Sequence, residues 1–102
     1  MMTSADTDLI RVLADPLRLR IVTLLAEETL CTTHLMEETG ARQTNLSNHL
    51  RVLREAGVVE TEPCGRYTYY RLRPDVIAQL AGRFADLAES ARTAAGNKRA
   101  CP

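Results

Sequence analysis

The chain has 102 residues, 13 basic and 13 acidic side chains, and a hydrophobic fraction of 45%. These values are typical of one globular domain, and they exclude a disordered chain and a generic polyanion binder. The apolar runs are too short for a membrane span, and residues 1–6 lack the basic and apolar regions of a signal peptide, so we expect a cytoplasmic protein.

The first part of the chain predicts three short helices. Residues 7–14 predict a helix that ends before Pro16. Pro16 then fits the first turn of a second helix with Asp15 as its N-cap. Residues 29–33 predict a break. Thr32 or Thr33 would cap the third helix, which ends at Gly40.

A fourth helix is predicted from Gln43 to Ala56, with Gly57 in the C′ position. Its inward stripe is Leu46, Leu50 and Leu53. Two short helices joined by a tight turn at Gly40 form a helix-turn-helix.

The pattern then changes to strands at residues 58–62 and 66–72, with a turn at residues 63–65, which is a β-hairpin or wing. A long helix follows Pro74 and extends to about Arg92. The predicted fold is mainly α with a β-hairpin wing, a winged helix-turn-helix in the order α-α-α-α-β-β-α. We expect one DNA-binding and dimerisation domain over residues 1–95 and a flexible tail over residues 96–102.

The outward face of the fourth helix predicts a DNA-reading surface. Asn, Ser and Thr are poor helix formers, and an ordinary surface helix would carry Lys and Glu there instead. Short polar side chains of this kind reach base edges in the major groove. The candidate residues are Gln43, Thr44, Asn45, Ser47, Asn48, His49 and Arg51.

Charge supports the same region. Residues 1–41 carry three arginines and seven carboxylates, whereas residues 42–73 carry six arginines and three carboxylates. Arg66 and Tyr67 at the wing are candidates for DNA contact, and Arg71 and Arg73 could also reach phosphate. The alternative is edge-strand charge that prevents aggregation.

Four segments together resemble the ArsR/SmtB repressors over about residues 8–92. They are ADPLRLRIVTLL (14–25), LCTTHL (30–35), TNLSNHLRVLREAGVV (44–59) and GRYTYYRLRP (65–74). The resemblance implies a homodimer formed by the first and last helices. It also implies binding to double-stranded operator DNA and release by a metal ion or another inducer, or by a redox change. Arg42 departs from the family in standing where a helix-capping Ser is common.

The resemblance also suggests a sensory site. Cys31 matches the first cysteine of the family's Cys-x-Cys stretch, but Thr33 stands at the second. His34 follows, and a third donor would have to come from Cys64, Cys101 or the other protomer. Arsenite requires three thiolates, whereas cadmium, zinc or nickel accepts thiolate or imidazole. The last helix lacks the histidines of the family's other metal site.

Three alternatives remain open. Cys31 could be a buried small hydrophobe, and the protein could be a metal-independent regulator that is constitutive, thiol-redox or partner-controlled. A winged-helix module for protein contact is a third, although the reading face lacks aromatic anchors. An enzyme is not expected, because the sequence has no catalytic triad and no phosphate-binding loop.

The last helix predicts the dimer interface. Its apolar stripe consists of Ile77, Leu80, Phe84 and Leu87, which a small monomer could not easily bury.

Overall fold

A computed structural model describes all residues from Met1 to Pro102. It contains five helices and three strands. In chain order they are α1 (Ser4–Leu13), α2 (Pro16–Leu25), β1 (Leu30–Cys31), α3 (Thr32–Thr39), α4 (Gln43–Glu55), β2 (Val59–Cys64), β3 (Tyr67–Leu72) and α5 (Pro74–Thr93). The helix-turn-helix is α3 and α4, and the wing is the hairpin of β2 and β3.

The first helix begins at Ser4, three residues before the predicted start. The cause is a reciprocal cap: Asp6 N–H donates to Thr3 Oγ1 over 3.1 Å, and Thr3 N–H donates to Asp6 Oδ2 over 2.9 Å. Such a capping box satisfies two backbone donors of the first turn at once. The second helix follows the prediction, with Pro16 in its first turn and Asp15 accepting from Arg18 N–H over 3.0 Å.

The predicted break at residues 29–33 contains a short strand that the sequence pattern does not show. Leu30 pairs with Tyr70 and Cys31 with Tyr69, both antiparallel, which gives a three-stranded sheet in the order β1-β3-β2. The predicted element order lacks this strand. The N-cap of α3 falls on Cys31, so its assignment to Thr32 or Thr33 was wrong by one or two residues.

The wing turn is shorter than predicted. Pro63 and Cys64 belong to β2, paired with Thr68 and Tyr67, so they do not form the turn. The turn consists of Gly65, at φ +60°, and Arg66, whose φ is not positive. A two-residue loop with positive φ only at its first position is of the II′ kind, which matches strand twist and favours Gly there. Pro63 is tolerated because β2 is an edge strand.

The core lies between α2, α3, α4 and the inner face of the sheet. Its ten buried side chains are Ile21, Val22, Leu25, Leu30, Leu35, Leu46, Leu50, Leu53, Val58 and Val59. The predicted inward stripe of α4 is confirmed, since Leu46 and Leu53 are 0% exposed and Leu50 is 1% exposed. This burial fixes which face of α4 is left for other contacts.

The last helix extends away from this core. Leu80 is its only buried residue, and the molecule is 63 Å long but only 24 Å and 22 Å across. Residues 97–102 form neither helix nor strand. None of the helices combines the length and the apolar character that crossing a membrane requires.

Candidate functional site

The outward face of α4 presents short polar side chains to solvent. All the predicted reading residues on this face are exposed except His49. The exposed ones are Gln43, Thr44, Asn45, Ser47, Asn48 and Arg51. Because the opposite stripe is fixed in the core, these side chains project from one rigid surface, as a reading helix requires. Their contact with DNA stays a prediction.

The N-terminus of α4 adds backbone donors to this surface. Arg42 is the N-cap and makes no side-chain capping bond. The first backbone hydrogen bond of the helix runs from Leu46 N–H to Arg42 O at 2.9 Å. The N–H groups of residues 43–45 therefore have no acceptor within the helix. Unpaired first-turn N–H groups favour phosphate oxygens.

His49 lies differently from its predicted outward position. Its side chain is 19% exposed and turns towards α2, where Arg18 Nη1 lies 3.2 Å from His49 Nδ1. Asp15 Oδ2 lies 3.8 Å from the same nitrogen. The backbone N–H of Arg18 is the main cause that holds the pKa of Asp15 below its ordinary value, and the positive charge of Arg18 acts in the same direction. His49 thus belongs to the joint between α2 and α4.

One arginine at the tip of the wing has no ion pair. Arg66 is exposed and has no ion pair, and Tyr67 beside it is 55% exposed. Arg71, by contrast, lies 3.5 Å from both Glu60 and Glu62. Arg71 is thus paired within the hairpin, and its contact with phosphate stays a prediction.

Arg73 is engaged in the same way. Its Nη2 lies 3.2 Å from Asp75 Oδ2 at the start of α5. The arginines with no ion pair in residues 42–73 are Arg42, Arg51, Arg54 and Arg66. Three of the four lie on or beside α4, so the unpaired positive charge of this region is concentrated on the reading helix and the wing tip.

A cleft of about 300 Å³ lies between α3 and the wing. The residues lining it are Cys31, Thr33, His34, Glu37, Tyr67 and Tyr69. Cys31 is 4% exposed, and its N–H donates to His34 Nδ1 over 3.2 Å. The His34 ring packs edge-on against Tyr69, with centroids 5.9 Å apart. The cleft therefore holds two of the four predicted metal ligands.

The other two candidate ligands lie elsewhere. Cys64 and Cys101 are exposed, and no group of three or more His, Cys, Asp or Glu side chains is placed to hold a metal ion. Cys31 and Cys64 are separated by β3, hence by two strand spacings of about 4.8 Å each. Two thiolates on one zinc ion lie at most about 4.6 Å apart. The structure does not join them in one site.

Glu37 is a donor that the sequence interpretation missed. It lies one helical turn beyond His34, and the i, i+3 spacing of Cys31, His34 and Glu37 was the available signal. A carboxylate in an acidic helix is a weak signal by itself, which explains the omission.

The predicted dimer stripe divides into two parts. Leu80 is 7% exposed and Ile77 packs against the core, so both are used within the protomer. Phe84 and Leu87 are 47% and 54% exposed. The second pair therefore leaves the most apolar surface of the four residues for a partner, and the interface itself stays a prediction.

Comparisons with known proteins agree on one family. Residues 15–61 match the family described as bacterial regulatory protein, arsR family. The chain is 38% identical over 76 residues to the HTH-type transcriptional repressor SmtB of Mycobacterium tuberculosis, covering 74% of this chain and 56% of the relative. It is 39% identical over 74 residues to the arsenical resistance operon repressor of Escherichia coli, covering 72% and 63%. The chain thus spans little more than half the length of these curated relatives.

A solved structure covers more of the chain. The crystal structure of a possible transcriptional regulator for arsenical resistance superimposes with a TM-score of 0.72 at 37% identity, covering 90% of this chain and 98% of that one. The curated relatives are named as transcriptional repressors, which agrees with the expectation from the sequence that the chain is a regulator and not an enzyme.

Proposed function

The chain belongs to the ArsR/SmtB family of winged helix-turn-helix transcriptional regulators, and we propose that it is a homodimeric repressor that reads operator DNA with α4 and the tip of the wing. The observation that carries this proposal is the face of α4. Leu46, Leu50 and Leu53 are at most 1% exposed, whereas every polar candidate on the other side except His49 is exposed.

The reading surface combines two kinds of contact. Asn and Gln side chains pair with adenine edges, and Ser and Thr contact base edges or phosphate. Arg66 at the wing tip and the free N–H groups at the start of α4 contact phosphate, which fixes the register without reading sequence. Both parts are needed for specific binding.

A homodimer supplies the second half-site. Phe84 and Leu87 leave apolar surface on α5, and α1 lies against the same helix through the Asp6–Arg83 ion pair. We propose that this surface is buried against a second copy, because dimeric readers of operators require two reading helices about one DNA turn apart.

For the inducer, we propose a soft divalent ion that binds in the Cys31 cleft. Arsenic is named in the relatives from Pseudomonas putida and Escherichia coli, but arsenite prefers three thiolates. The cleft is lined by one thiol, one imidazole and the Glu37 carboxylate, which are not arranged to hold a metal ion in this conformation, so binding requires these side chains to rearrange. Cadmium or zinc suits this mixed donor set better than arsenite or nickel does.

His34 links such binding to the helix-turn-helix. Its Nδ1 accepts from Cys31 N–H, so the neutral ring carries its hydrogen on Nε2 and has no free lone pair. Metal binding through Nδ1 therefore requires His34 to break its hydrogen bond with Cys31 N–H, which lies at the junction of β1 and α3. Because α3 packs on α4, loosening this N-cap offers a route by which the cleft biases the reading helix.

A metal-independent thiol response is the second candidate. It is favoured by the separation of the three cysteines and by the exposure of Cys64, two residues from Arg66. An exposed thiol is open to oxidation, and the resulting charge would lie beside the wing's phosphate contact.

The experiment that tests the proposed function is operator selection followed by release. The protein is used to enrich a random-sequence duplex library, and the bound duplex is then titrated with cadmium, zinc, nickel, arsenite and peroxide. Enrichment of one sequence supports the DNA-reading proposal, and the agent that releases it identifies the inducer class. Release by peroxide alone favours the second candidate.

A further inference from the structure

Arg18 connects three helices through its guanidinium group. Its Nε donates to Val12 O over 2.6 Å, and its Nη1 lies 3.2 Å from His49 Nδ1. Val12 lies in the last turn of α1, where its carbonyl would accept from residue 16 if the helix continued. Residue 16 is a proline and has no N–H, so Arg18 supplies the missing donor.

The same side chain fixes the state of His49. A guanidinium group only donates, so Nδ1 must be the acceptor and the neutral ring carries its hydrogen on Nε2. The Nε2–H group has no hydrogen-bond partner within the protein, whereas Nδ1 accepts a hydrogen bond from Arg18. The ring is 19% exposed and lies on the α2 side of α4.

We propose that His49 is a positioning residue for operator reading, a role that rests on the proposed DNA-binding function. Burial of the leucine stripe fixes the face of α4, and the bond from Arg18 to Nδ1 ties the α2 side of the helix to the end of α1, which adjusts the direction of Ser47 and Asn48. Because Arg18 also donates to Val12 O at the end of α1, it connects α1 and α4 and restrains their relative positions.

The charged groups that contact the ring are on α2 and at its N-cap. Arg18 Nη1 lies 3.2 Å from Nδ1, and Asp15 Oδ2 lies 3.8 Å from the same nitrogen. α1 contributes only the Val12 carbonyl, through Arg18, and Arg51 and Arg54 on α4 itself are exposed. The positioning contact therefore uses Nδ1 as the acceptor and the Arg18 guanidinium group as the donor.

Two isosteric variants separate positioning from direct DNA contact. In His49→Asn, Oδ1 takes the place of Nδ1 and still accepts from Arg18. In His49→Gln, the polar atoms reach the place of Nε2, and the acceptor for Arg18 is lost.

Arg18→Lys keeps the positive charge but cannot donate to Val12 and His49 together. Arg20→Lys, at an exposed and unpaired arginine, is its matched control.

Each protein is titrated with a duplex selected by the wild type from a random library and with a scrambled duplex of the same length. We expect His49→Asn and Arg20→Lys to keep the wild-type affinity ratio of selected to scrambled DNA. His49→Gln and Arg18→Lys are expected to lower it about tenfold, the effect of one lost charge-assisted hydrogen bond, with scrambled binding unchanged.

Retention of the ratio in His49→Gln with loss in His49→Asn would overturn the proposal in favour of a DNA contact through Nε2–H. An unchanged ratio in all variants, or equal loss on both duplexes, would overturn it as well. The position of the ring proton of His49 can also be tested in the wild-type protein, without any substitution. A nitrogen-15 correlation spectrum at neutral pH should show Nδ1 without a proton, and a protonated Nδ1 contradicts the proposal. Failure of the wild type to select any duplex counts against the proposed function itself.

Discussion

Asp6 Oδ2 lies 3.2 Å from Arg83 Nε, so an ion pair joins the first helix to the last. The same carboxylate closes the capping box of α1 by accepting from Thr3 N–H. This backbone bond is the main cause that holds the pKa of Asp6 below its ordinary value, and the charge of Arg83 adds to it. One buried carboxylate therefore supports both the start of α1 and its packing on α5.

The first prediction concerns acid stability. Because the folded-state pKa of Asp6 is lowered, its contribution is fully present above the ordinary value of 3.8 and is lost as the pH falls through the lower folded value. We expect Asp6→Asn to lower the unfolding midpoint in urea at neutral pH and to flatten its decline in acid. Asp8→Asn, whose ion pair with Arg11 is largely exposed, is the control and should change little. Equal profiles for the two variants would contradict this assignment.

The second prediction concerns the wing. Arg66→Ala should weaken binding to selected and scrambled DNA alike and reduce the slope of log affinity against log salt by about 0.9, the value for one phosphate contact. Arg20→Ala, which removes an exposed and unpaired arginine of α2, is the control. Affinity measured by fluorescence anisotropy at several salt concentrations checks both. An unchanged slope in Arg66→Ala would show that the wing tip does not contact DNA.

The third prediction concerns base reading. Asn48→Ala should reduce affinity for the selected duplex by about 1–3 kcal/mol, the range for one bidentate base contact, and leave scrambled binding unchanged. Thr23→Ala, an exposed position on α2, serves as the control. If Asn48→Ala keeps full discrimination between the two duplexes, α4 is not the reading helix at that position.

The fourth prediction concerns the inducer. Cys31→Ser should bind the selected duplex as the wild type does but resist release by cadmium. A coupling of about 1–3 kcal/mol corresponds to a change in wild-type affinity of roughly 5- to 150-fold. Cys64→Ser and Cys101→Ser are controls, because their thiols lie outside the cleft. Equal cadmium release from Cys31→Ser and the wild type would remove Cys31 from the sensor.

The fifth prediction concerns the dimer. Sedimentation should give twice the 11.3 kDa chain mass for the wild type. Phe84→Lys or Leu87→Lys should weaken the dimer about tenfold or more, since burying each side chain contributes about 1.5–3 kcal/mol. Leu19→Lys on α2, 50% exposed, is a control of similar exposure. A monomeric wild type would contradict the proposed arrangement.

Much of the fold could be predicted from local pattern. The spacing of Leu46, Leu50 and Leu53 defines the buried face of α4, and Pro16 and Gly57 mark helix ends through their own backbone chemistry. The strand at Leu30 and Cys31 could not be predicted in this way. Two residues have no measurable periodicity, and their strand exists only because Tyr69 and Tyr70 of β3 pair with them from 38 and 40 residues further along the chain.

The candidate site shows the same limit. Exposure of Asn48 follows from helical spacing alone, whereas His49 occupies the next position and turns inward because Arg18 and Asp15 meet it from another helix. Likewise, the sequence alone does not show that Arg66 is unpaired and Arg71 is paired. That difference depends on β2, which brings Glu60 next to Arg71. Long-range partners, and not residue type, decide these roles.

The measurement that tests the central claim most directly is selection from a random duplex library with the intact wild-type protein. We predict enrichment of an inverted repeat whose half-sites lie about 10 base pairs apart and which binds one dimer, because two α4 helices related by a twofold axis read successive turns of the major groove. A pool that binds no more tightly than random DNA after repeated rounds would contradict the account, since α4 would then read no sequence.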